Sequence, residues 1–343
     1  MARSALRLEE EPMPWYDLPE DELTGYRTGT QEPPGLDRWW RERLDQARAA
    51  AREPVLTRYQ AGTYAPVEVY DAEFSGADGD RIRAWYLRPA GAAQAVTPVV
   101  VKFIGYGGGR GLPAEHALLP ALGYALLVMD TRGQGGRWST GATGDHADGW
   151  HAGPENAAVM TRGIAQPEDY YYTRLFTDAV RAVETACALT GAARVAVTGV
   201  SQGGGLSLAA AALVPERVAV CHADVPFLCD IQRAITLAPH APYTEVPEFL
   251  AHQVDLVPAA LDTLRYVDCA LLARRITARC LLSVGLMDGI CPPSTVFAAY
   301  NEITAGKDIS VHPFTGHEVP QTHVERQLRH LREFLRGAGP ASG

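Results

Sequence analysis

Short runs of unbroken apolar residues recur along this chain at intervals wide enough for a helix to lie between them. Pro98–Phe103, Ala125–Met129, Val195–Val197, Val218–Cys221, Cys280–Val284 and Ile309–Val311 each read as strands buried on both faces. Such strands separated by longer helical stretches predict an α/β fold, a mostly parallel sheet flanked by helices. Upstream the pattern changes. Val67–Phe74 and Arg81–Leu87 alternate apolar and polar positions around Ser75–Gly79, which predicts a hairpin. Leu36–Ala50 has the spacing of an amphipathic helix, and Gln321–Arg336 predicts a long helix that closes the domain.

Two stretches interrupt the pattern. Gly135–Gly163 is polar and Gly-rich, and Leu237–Thr263 is dotted with proline. Insertions of this length in a compact fold point to functional loops or subunit contacts. There is no internal repeat and no linker, so residues 14–337 are expected to form a single domain. Residues 1–13 and 338–343 are expected to be frayed ends.

Composition narrows the chemistry only slightly. The chain has 343 residues, 47% hydrophobic and 21% charged, ordinary values for a globular enzyme. A net charge of −9 argues against a nucleic-acid partner or an anionic membrane surface, so a neutral small-molecule substrate is the expectation. The opening residues lack an apolar leader core and no stretch reaches the length of a membrane span, which predicts a cytoplasmic protein. Cys187, Cys221, Cys229, Cys269, Cys280 and Cys291 lack metal-ligand spacing and read as buried hydrophobes.

The most informative segment is Gly199-Val200-Ser201-Gln202-Gly203. It follows the strand run ending at Val200 and opens into the helix-forming run Leu206–Leu213. In that context a G-x-S-x-G turn carries a nucleophilic serine, and Gly199 and Gly203 are needed where a Cβ would strike neighbouring backbone. The competing reading is a Gly-rich turn with an idle serine. In chain order an acid and then a base should follow. Asp288 stands at the end of the Cys280–Val284 strand, and His317 follows the last strand. Taken singly, Asp288 could cap the helix Thr295–Ile303 and His317 could be a surface histidine. All three in this order and position point to acyl transfer.

The oxyanion donors are expected to be the N–H of Gln202 and that of Tyr106, in the glycine-rich loop Ile104–Gly111. That loop lacks the Lys-Ser/Thr of a phosphate cradle. Asp145, His146, Asp148 and His151 fit no standard metal spacing, so neither metal nor cofactor is expected. Arg132 and Gln134, just past the Ala125–Met129 strand, are expected to support the elbow, with the arginine bracing loop carbonyls.

Four segments carry a resemblance. Asp130-Thr-Arg-Gly-Gln-Gly-Gly136, Gly199-Val-Ser-Gln-Gly-Gly204, the stretch Gly285–Tyr300 and Gly316-His-Glu318 resemble the signature set of the acetylxylan esterase/cephalosporin-C deacetylase family, the seventh carbohydrate esterase family. Supporting segments are Trp15–Pro19, Met160–Ile164 with Tyr170–Tyr172, and Asp224–Asp230. The likeness runs from about Pro14 to Arg336. It implies an α/β-hydrolase with the triad Ser201, Asp288 and His317 and oxyanion donors Tyr106 and Gln202. It also implies metal-free removal of O-acetyl groups from xylo-oligosaccharides and cephalosporins, in ring-shaped hexamers. Ile104 stands where that family usually has histidine, and with Pro226 and Phe227 it is assigned to the substrate pocket. The alternatives are another acyl hydrolase of this fold, a peptidase or lactonase, and a non-catalytic binding protein.

Overall fold

The computed structural model describes residues 15–92, 97–145 and 158–335. Both expected frayed ends and the middle of the Gly135–Gly163 stretch lie outside them. The strands are β1 (Val55–Arg58), β2 (Val67–Ser75), β3 (Arg81–Pro89), β4 (Val99–Phe103), β5 (Ala125–Met129), β6 (Val195–Val200), β7 (Val218–Asp224), β8 (Arg279–Gly285) and β9 (Lys307–His312). They form one sheet in the order β1-β2-β3-β5-β4-β6-β7-β8-β9. β1 to β3 are an antiparallel meander whose last strand pairs antiparallel with β5. From β5 to β9 all neighbours run parallel.

The helices are α1 (Glu20–Leu23), α2 (Leu36–Ala49), α3 (Leu118–Ala121), α4 (Tyr171–Thr190), α5 (Gln202–Leu213), α6 (Ile231–Leu237), α7 (Glu245–Leu250), α8 (Val257–Leu264), α9 (Cys269–Leu272), α10 (Pro293–Glu302) and α11 (Gln321–Phe334). In α2 the buried residues Leu36, Trp40, Leu44 and Ala47 fall on one stripe, as the sequence pattern requires.

Continuous apolar strands mean that both sheet faces are covered, and β4 shows how unequally. Val99, Val101 and Phe103 enter a large core with α4, α5, α9 and α10. Val100 and Ile104 enter a smaller one with Leu331 of α11. α4 lies inside the large core: Leu175, Phe176, Val180 and Val183 are fully buried, contributing about 1.5–3 kcal/mol each. All six cysteines are buried and unbridged.

Two regions differ from the sequence reading. β1 is an additional edge strand; its residues are mostly exposed, so it carries no apolar alternation to read. The Leu237–Thr263 insertion is largely helical, containing α7 and most of α8. Its Tyr243, Val246, Leu250 and Ala260 are buried in this chain's own core, so they are not available for a subunit contact.

Candidate active site

Ser201 sits between β6 and α5 with φ 59° and ψ −119°. A non-glycine residue there is strained by about 1–3 kcal/mol and persists because its surroundings over-determine it. Its N–H donates to the Asp224 carbonyl at 2.9 Å, and its carbonyl accepts from the N–H groups of Gly205 and Phe227, each at 3.0 Å. The flanking glycines are sterically required. A Cβ on Gly199 would lie 2.3 Å from the Gly203 carbonyl carbon, and one on Gly203 would lie 2.4 Å from the Phe103 oxygen.

Asp288 and His317 meet across the loops that leave β8 and β9. His317 Nδ1 lies 2.8 Å from Asp288 Oδ2. The carboxylate is fully buried, and its Oδ1 accepts from the N–H groups of Ile290 and Cys291 at 2.8 and 2.9 Å. These bonds fix its orientation toward the imidazole. The position before α10 belongs to Pro292, and Ser294 N–H at that end donates to Asp17, so Asp288 is not the helix cap. Tyr16 donates its hydroxyl to the Asp288 carbonyl at 2.7 Å, a support from the N-terminal segment that spacing arguments did not identify. Cys291 Sγ lies, with atoms of Asp288 and His317, in a cluster 4.8 Å across. Burial, reinforced by the Asp288 charge, pushes this thiol well up, so it stays protonated and is a poor metal ligand.

On the other side of Ser201 the glycine-rich loop is held by side chains. Trp138 Nε1 donates to the Tyr106 carbonyl at 2.8 Å, and Gly107 N–H donates to Gln134 Oε1 at 2.6 Å. The amide of Gln134 donates in turn to Tyr171 and to Gln202 Oε1, while Gln202 Nε2 donates to the Ile104 carbonyl. Gln202 is thus a fully buried bridge between helix and loop. Among the described residues no acceptor engages the backbone N–H of Tyr106 or of Gln202, and no side chain caps α5. Asp130, from the same motif as Arg132, pins the far end of the loop by accepting from Arg110 N–H and from Ala142 and Thr143.

Arg132 is fully buried and grips carboxylates, not the carbonyls anticipated. It makes a two-pronged contact with Asp178 at 2.6 and 2.8 Å, and its third nitrogen reaches Asp80 at 2.9 Å and Asp145 at 3.5 Å. Burial works against the guanidinium charge, but Asp178, then Asp80 and Asp145, outweigh it and hold the pKa above its usual value. Asp145 is also paired with Arg162 and Arg174, which leaves it no role as a metal ligand. His146, Asp148 and His151 lie outside the described residues.

Ser201, His317 and Tyr106 share a cavity of about 290 Å³ walled by Trp138, Pro242 and Ile290. The three residues assigned to the pocket from sequence are not on its wall. Ile104 points to the opposite sheet face, into the smaller core, because strand side chains alternate. Phe227 is fully buried one layer behind, with its ring 6.2 Å from that of Tyr106, and Pro226 is buried beside it against Gly204. Trp138 and Pro242 come from the two interrupting stretches, the one available hint to them in the sequence.

A largely parallel sheet with an elbow serine after β6, and an imidazole–carboxylate pair beyond β8 and β9, defines an α/β-hydrolase. The comparisons go further. The family profile described as acetyl xylan esterase (AXE1) matches residues 13–334, and the chain belongs to that family. The acetyl xylan esterase of Paenibacillus sp. R4 is 33% identical with TM-score 0.85, covering 93% of this chain and 100% of that one. Acetyl xylan esterase 1 of Thermoanaerobacterium sp. JW/SL YS485 is 32% identical with TM-score 0.80, covering 93% and 99%. Acetyl esterase Axe7A of Xylanibacter ruminicola is 27% identical over 298 residues, 84% of this chain; the chain spans 64% of that relative's length. The acylaminoacyl peptidase of Pyrococcus horikoshii, 13% identical with TM-score 0.56, shares the fold alone. Among the described residues no helix is long and apolar enough to cross a membrane.

Proposed function

We propose that this chain is a serine esterase that removes O-acetyl groups from small acetylated carbohydrates, xylo-oligosaccharides first, and from cephalosporin C-type acetates. The observation that carries the reading is the strained Ser201 facing one small cavity with a histidine whose far nitrogen is held by a buried carboxylate. Ser201 Oγ attacks the acetyl carbon while His317 takes its proton and passes it to the leaving alcohol. Water then reverses the sequence on the acetyl-enzyme. Asp288 keeps the imidazole in the right tautomer and stabilises its cation. The oxyanion is received by the N–H groups of Tyr106 and Gln202, both left unspent by the loop's own bonding. Arg132, Gln134, Gly199 and Gly203 act as supports.

Family membership and the names of the two related acetyl xylan esterases support acetyl over longer acyl groups. So does the small cavity lined by Trp138, Pro242 and Ile290. Rates on a p-nitrophenyl ester series from acetate to octanoate test the reading: a steep fall beyond acetate or propionate is expected. A flat profile, or better turnover of a peptide or lactone, overturns it. The resemblance also implies a homo-hexamer. Light scattering returning six times the chain mass is the expected result.

A further inference from the structure

The helical insertion reaches the oxyanion loop through one contact that the mechanism above does not use. The hydroxyl of Tyr106 donates to both carboxylate oxygens of Glu245, at 2.7 and 2.9 Å. The same oxygen accepts from the N–H groups of Ala158 and Val159, each at 3.1 Å, and Met160 N–H donates to Glu245 Oε2 at 3.3 Å. With both acceptor positions of the phenol filled by main-chain donors, its proton has one direction left, toward Glu245.

We propose that Glu245 is a positioning residue of the oxyanion hole, acting through the Tyr106 side chain to hold the Tyr106 backbone N–H in place. This rests on the esterase reading. The Tyr106 peptide is already fixed on its carbonyl side by Trp138 and at the next residue by Gln134. Glu245 fixes the remaining degree of freedom, the ring. Its own position is secured because Glu245 N–H donates to the carbonyl of Pro242, which walls the cavity. Tyr243 of the same turn packs at 4.2 Å on Phe227 and accepts from Leu228 N–H at 2.8 Å. The Phe227 N–H in turn holds the Ser201 carbonyl. The insertion therefore ties the oxyanion loop to the nucleophile turn from outside the sheet. Burial, then the Glu245 charge, pushes the Tyr106 phenol up, so it remains a donor. A misplaced catalytic group loses on the order of 100-fold in rate per ångström, which makes a ring anchor consequential.

The test uses p-nitrophenyl acetate kinetics and inhibition by a methyl trifluoromethyl ketone, whose serine adduct carries an oxyanion. Glu245→Ala should lower kcat about 10–100-fold, leave KM within about threefold, and weaken ketone binding by the same factor. Glu245→Gln keeps an acceptor and should recover most of the loss. Tyr106→Phe and the double variant should lower kcat at least as far as Glu245→Ala, because each removes the Tyr106–Glu245 contact and the phenol variant also releases Ala158 and Val159 N–H. If Glu245→Ala does not fold, Tyr106→Phe carries the test alone, and unchanged kcat there overturns the clamp. Glu245→Ala with kcat within about twofold of wild type, or with raised KM and unchanged ketone affinity, overturns it while the esterase reading stands. Wild-type protein without turnover, or active Ser201→Ala, removes the esterase reading and the clamp together.

Discussion

The two sides of the serine are built in different ways. On the acid–base side, Asp288 and His317 occupy neighbouring loop ends of β8 and β9, and main-chain N–H groups two and three residues further on hold the carboxylate. On the oxyanion side, the loop after β4 is held by the side chains of Gln134, Trp138, Gln202 and Glu245, with Tyr171 bonded behind Gln134. The first arrangement is mostly local, with Tyr16 as its one described distant support. The second is a network, and on the proposed mechanism a change far from Ser201 can move an oxyanion donor. Small losses at the oxyanion side should therefore appear in kcat, whereas the acid–base side should fail only when its own members are removed.

The largest expected effect falls where the two sides meet. Ser201→Ala and His317→Ala should each lower kcat by about 10⁴–10⁶, with the double variant little worse than either. Circular dichroism and the melting temperature should remain those of the wild type. Near-normal turnover by folded Ser201→Ala would remove the basis for distinguishing two sides at all.

Arg132→Ala comes next and acts on stability. It leaves Asp178 buried without its partner, at about 3–5 kcal/mol, so the melting temperature should drop on the order of 10 °C and activity should fall with it. Loss of activity at an unchanged melting temperature would count against a supporting role.

Gln134→Ala separates the two sides most sharply. It releases Gly107 and Gln202 together, so kcat should fall about 10–100-fold with KM nearly constant. A pure KM effect would place Gln134 in substrate binding instead.

The smallest effect is expected at the local side. Tyr16→Phe removes one hydrogen bond to the Asp288 carbonyl, worth about 1 kcal/mol, and should change kcat by less than about fivefold. A loss as large as that of Gln134→Ala would show that the acid–base side also depends on a remote network.

The same contrast explains what could be read in advance. The pairing of Asp288 with His317 was legible because both follow strands whose apolar runs stand out. Ser201 was legible because its glycines answer to a local steric demand. The pocket wall was not. Ile104 lies next to the oxyanion loop in sequence, yet strand alternation turns it to the other face, while Pro242 and Trp138 arrive from segments with no periodicity to read. Arg132 was placed as a support, but its partners were misjudged because Asp80, Asp145 and Asp178 approach it only through the hairpin, a loop and α4. Tyr243 and Leu250 of the insertion suggested a surface contact and are buried instead, since composition does not tell an apolar residue facing a neighbour from one facing its own core.

The parallel sheet, the tight turn at Ser201 and the chain order Ser201, Asp288, His317 follow from the sequence, because each depends on side-chain period, turn sterics or position along the chain. Which N–H groups stay unspent among the described residues, which residues wall the cavity, and that Glu245 meets Tyr106 come from the folded chain alone. Those depend on which face each element turns inward and on hydrogen bonds between residues tens to hundreds of positions apart, and nothing local in the chain encodes such pairings.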